Sequence, residues 1–79
     1  MNIISRKPQS LILSPEQLEC LEHMKALNTG INVQIELANL NLQALATNPA
    51  ALFNVKQNLE GASDLSQELT ILLTYFDTL

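Results

Sequence analysis

Cys20 and His23 are the pair in this chain whose types suit metal binding or nucleophilic chemistry. They stand three residues apart, close enough to meet on one helix face. A thiol beside an imidazole can ligate zinc, or serve as nucleophile and base. The pair is alone, because the chain has one histidine and one cysteine. Structural zinc sites take four ligands, so two residues do not define one. Cys20 also falls on an apolar helical line, so a buried thiol beside a surface imidazole is the expected arrangement. Glu16, Glu19 and Glu22 form the other chemically suggestive group. At a helix start they serve the dipole and solubility better than acid–base work. Glycine-rich phosphate loops, a C-x-x-C pair and a basic–aromatic pattern are all missing from the sequence. The expectation is a protein that is not an enzyme, with no catalytic residue, no metal and no cofactor.

What remains is a chain suited to packing against other chains. Of its 79 residues, 47% are apolar and 15% charged, against roughly 25% charged in an average domain. That is too much apolar surface for disorder and a heavy load for a small monomer. Leucine dominates, while two glycines and three prolines leave little for turns, which favours helices. Arg6 and Lys7 precede every acidic residue, so residues 8–79 carry two positive and eight negative side chains. Such a body is repelled by nucleic acid and by anionic lipid. No apolar run approaches the roughly 20 residues of a membrane span. The early apolar runs, Ile3-Ile4 and Leu11-Ile12-Leu13, are interrupted by Arg6, Lys7 and Pro8, which does not make a secretory signal. A lone cysteine suits a reducing compartment. The expected location is cytoplasmic, with any export by a signal-independent route.

The elements that would present this surface are two helices. Residues 1–13 read as an extended or flexible arm, broken by Pro8. Ser14, Pro15 and Gln17 spell an N-cap, a proline at the first helical position and a capping box, with Leu13 and Leu18 placed as a hydrophobic staple. From there Cys20, Met24, Leu27, Ile31, Ile35, Ala38, Leu42 and Leu45 recur at steps of three and four, within about 40° of one line. Thr47-Asn48-Pro49 is the hinge. Beyond it Leu52, Val55, Leu59, Ala62, Ser66, Leu69, Leu73 and Phe76 form a heptad seam, broadened by Leu65, Leu72 and Leu79. The reading is all-α: an antiparallel hairpin of helices over about 15–46 and 49–78, with kinks allowed at Gly30 and Gly61. It forms one domain over residues 14–79. A break at Gly61 would instead give three helices, with residues 64–79 folding back as the third.

Val33, Leu37, Leu40 and Ala44 make a second apolar stripe, roughly 120–180° from the first. A partner helix in a hairpin covers one stripe, so the other meets water or another molecule. Between Lys25 and Lys56 the only charged residue is Glu36, and the polar positions are Asn and Gln. Loss of charge with aliphatics retained is the composition of interface cores. The expected partner-binding residues are therefore Val33, Leu37, Leu40 and Ala44, with Leu65 and Leu72 from the second helix. The partner is protein, either further copies of the chain or another helical protein.

Residues 45–57 resemble the hinge of the small helical-hairpin subunits of bacterial type III secretion systems. The likeness lies in Asn48-Pro49, then Leu52, then Gln57. Residues 63–79, ending Phe76-Asp77-Thr78-Leu79, are similar to the apolar C-terminal helix of that group. The resemblance implies a needle or inner-rod subunit that assembles into a helical tube, or the small two-helix chaperone that holds such a subunit before export. It departs from the needle pattern at Glu60-Gly61-Ala62, where those subunits commonly have tyrosine. A separate class also fits the compact acidic size: a phage-type inhibitor, or an oligomer that sequesters a ligand to neutralise a host defence.

Overall fold

The computed structural model describes residues 12–79 as an antiparallel helical hairpin, α1 (Pro15–Ala44) and α2 (Ala51–Phe76). The expected arm lies outside the described residues, apart from an exposed Ile12 and a half-buried Leu13. α1 starts where its cap sequence directs. The Ser14 hydroxyl accepts from the Gln17 backbone N–H at 3.1 Å, and the Gln17 side chain accepts from the Ser14 N–H at 2.8 Å. Pro15 at the first helical position has no N–H, so two of the three unpaired donors at the helix start are satisfied in this way. The hinge is a few residues wider than the sequence suggested. The Asn48 N–H returns to the Ala44 carbonyl at 2.8 Å, and the Asn48 side-chain oxygen accepts from the Ala50 N–H at 3.1 Å. Pro49, with no N–H to place, sits between these two anchors. Both helices run unbroken through their glycines, so the break at Gly61 and the three-helix alternative do not occur.

The seam between the helices is a regular heptad, rotated by part of a turn from the expected one. On α1 its a positions are Met24, Ile31 and Ala38, and its d positions are Cys20, Leu27, Gln34 and Asn41. On α2 the a positions are Val55, Ala62, Leu69 and Phe76, and the d positions are Ala51, Asn58, Leu65 and Leu72. Every one of these residues is buried or half-buried. Ile35, Leu42, Leu52, Leu59 and Leu73, expected inside, are 41%, 51%, 46%, 49% and 55% exposed. Gln34 and Asn41 occupy the line where Ile35 and Leu42 were expected. Asn58, Leu65 and Leu72 replace Leu59, Ser66 and Leu73.

Two contacts explain the rotation. The Asn58 side chain donates to Gln34 Oε1 at 3.0 Å and accepts from Asn41 Nδ2 at 2.9 Å, an amide chain linking both helices. Each such bond is worth about 0.5–1.5 kcal/mol net, and polar groups inside a seam fix register. The glycines permit the close approach. A Cβ on Gly30 would stand 3.0 Å from Leu65 Cδ1, and one on Gly61 3.2 Å from Gln34 Cδ. Each glycine costs about 1 kcal/mol of helix propensity against alanine. Each therefore marks a place where the opposite side chain lies across the helix backbone. The core is correspondingly thin: Cys20, Met24, Leu27, Ala38, Ala51, Val55 and Ala62, most of them small.

Candidate partner-binding surface

A two-helix seam leaves most of each helix surface outside, and on this chain much of that surface is aliphatic. The stripe expected on α1 is present as one. Val33, Leu37 and Leu40 are 47%, 40% and 56% exposed, and Ala44 is half-buried at the end of the helix. Leu37 and Ala44 take g positions beside the seam, with Val33 and Leu40 at c, further round. On this side α2 presents Asn54 and Gly61 at its own g positions, so the stripe is one helix wide. The other two expected binding residues are not part of it. Leu65 lies across Gly30, and the Leu72 carbonyl accepts from the Cys20 thiol at 3.7 Å, so both are half-buried in the hairpin's own seam. Both keep part of their surface exposed, but on the seam and not in the α1 stripe.

Sequence reasoning missed a second surface, on the opposite side. In an antiparallel pair the e positions of the two helices fall on the same flank. Here they are Leu21, Asn28, Ile35 and Leu42 on α1, with Leu52, Leu59, Ser66 and Leu73 on α2. All but Leu21 are exposed. A shallow groove holding Leu21, Met24, Asn28, Leu69 and Leu73 confirms that the two rows adjoin. The signal was visible as three neighbouring apolar columns, a, d and e, the pattern of helices facing a bundle core and not a simple two-stranded seam.

The chemical candidates stay apart from both surfaces. Cys20 is buried against α2, and His23 faces an exposed Glu68 with Nε2–Oε2 at 3.8 Å. A groove beside them is lined by Glu16, Glu19, Cys20, His23, Leu72 and Tyr75. Among the described residues no three His, Cys, Asp or Glu side chains are grouped to hold a metal ion. No helix among them is long and apolar enough to cross a membrane.

Fold and surface together define an all-α hairpin with a thin core and exposed aliphatic residues on both flanks. Comparison with known protein families, curated proteins and solved structures returned no match.

Proposed function

We propose that the chain is a non-enzymatic assembly protein that works by packing its helices against other helices. The observation that carries this reading is the exposed aliphatic stripe Val33, Leu37 and Leu40, in a segment whose only charge is Glu36. Burying each of these side chains fully is worth roughly 1.5–3 kcal/mol, and each retains about half of that to gain. The partner at this stripe is a further copy of the chain or another helical protein. The hinge resemblance supports a type III secretion needle- or rod-like subunit, or its small chaperone, leaving the cytoplasm if at all without a cleaved signal.

The test is the double substitution Leu37→Glu with Leu40→Glu. The expected outcome is a lower assembled mass by light scattering, with helicity by circular dichroism retained. An unchanged mass removes the stripe as an interface. Filaments of the wild-type chain by electron microscopy would mark a needle or rod subunit, and a small closed oligomer would mark a chaperone.

A further inference from the structure

From the e-position face we infer that the elementary unit of this protein is a closed dimer. Two hairpins stack face to face into a four-helix bundle, end for end, through Ile35, Leu42, Leu52, Leu59 and Leu73. The inference rests on the assembly reading above and names a different surface and a particular partner, a second copy of the chain.

Three observations favour that partner. The first is shape. The face is two helices wide, and a flat two-helix face is filled by another of the same width, which gives each helix the a/d/e environment its sequence carries. The second is area. From Leu21 to Leu42 the face runs about 32 Å at 1.5 Å per residue, and two helix diameters make it about 20 Å wide. That is roughly 640 Å² in projection, near the roughly 800 Å² each partner gives to a standard interface. The third is charge. Seven of the eight acidic residues, Glu16, Glu19, Glu22, Glu36, Glu60, Asp64 and Glu68, fall at c, f or g, away from this face, and the eighth, Asp77 at b, lies past its last residue, Leu73. Lys25 and Lys56, at b, stand at its rim. Two such faces therefore meet without bringing carboxylates together. The orientation follows from the same charges. Glu16, Glu19, Glu22, Glu68 and Asp77 cluster at the open end of the hairpin, so inverting one copy keeps the two acidic ends apart.

The experiment measures the mass of the full chain across a concentration series, by sedimentation equilibrium, with circular dichroism on each variant. Wild type is compared with Leu42→Glu/Leu59→Glu and with Leu37→Glu/Leu40→Glu. The expected result is a helical monomer for the first variant, with self-association weakened at least about 100-fold. The second variant falls no lower than a dimer. Should the Glu pair lose its helicity, Leu42→Gln/Leu59→Gln must still weaken the dimer about tenfold. A Leu42/Leu59 variant with wild-type mass overturns the inference, as do open-ended filaments built without a dimer. A monomeric Leu37/Leu40 variant beside a dimeric Leu42/Leu59 variant overturns it while sparing the assembly reading. A monomeric wild type overturns both.

Discussion

Asn58 holds more of the architecture than its half-buried position suggests. It reaches Gln34 and Asn41 on the opposite helix at once, and replaces leucines that the apolar pattern would have put in the seam. Changing Asn58 to Ala removes both bonds and leaves Gln34 Oε1 without its partner, while Asn41 Nδ2 keeps its bond to the Leu37 carbonyl at 3.0 Å. The expected cost is about 1–3 kcal/mol, read as a lower midpoint in urea unfolding. A midpoint within a few tenths of a kcal/mol of wild type would mean that water replaces the chain of amides without loss. Gly30 and Gly61 act with it at this scale. Leu65 Cδ1 and Gln34 Cδ lie 3.0 and 3.2 Å from where their Cβ atoms would be, so each glycine leaves room for a side chain of the opposite helix.

The helices themselves were legible in their approximate extent and, for α1, in the start; α2 begins at Ala51, two residues after the expected Pro49, with no side-chain cap. Ser14, Pro15 and Gln17 specify a start that the structure reproduces bond for bond. Changing Ser14 to Ala should cost about 1 kcal/mol, with the loss concentrated in amide-exchange protection of the first turns of α1. Uniform loss along α1 would show that its end does not open separately. The hinge at Asn48-Pro49 was also legible, since both residues carry their turn chemistry locally. The face each helix turns inward was not. On α2 the a and e columns, Val55, Ala62, Leu69 and Phe76 with Leu52, Leu59 and Leu73, are at least as apolar as the a and d columns that pack. Steps of three and four fit either pair, and nothing along the chain says that Asn58 will find Gln34. Register was decided by a long-range polar pairing and by two close approaches, neither of which has a one-dimensional signature. The stripe at Val33, Leu37 and Leu40 stays exposed after this rotation, with Leu37 at the edge of the seam and Val33 and Leu40 further round, whereas Leu65 and Leu72 stand on the seam itself.

As a whole molecule, the hairpin has length without depth. Its buried residues form a single row, and no large side chain among the described residues is fully enclosed. Two helices rarely sustain themselves in water on such a core, and packing against further helices is how most helical stability arises. Cys20 turns this into something measurable. The residue is 7% exposed, near the open end of the hairpin, and its thiol is hydrogen-bonded to the Leu72 carbonyl. A thiol reagent reaches it more readily when the ends of α1 and α2 part. The chain thus carries a built-in clock for its own fraying: the labelling rate of its single native thiol reports openings, with no probe introduced. If neighbours clamp those ends shut, the clock should slow as the protein is concentrated, and a rate indifferent to concentration would mean that each hairpin opens alone.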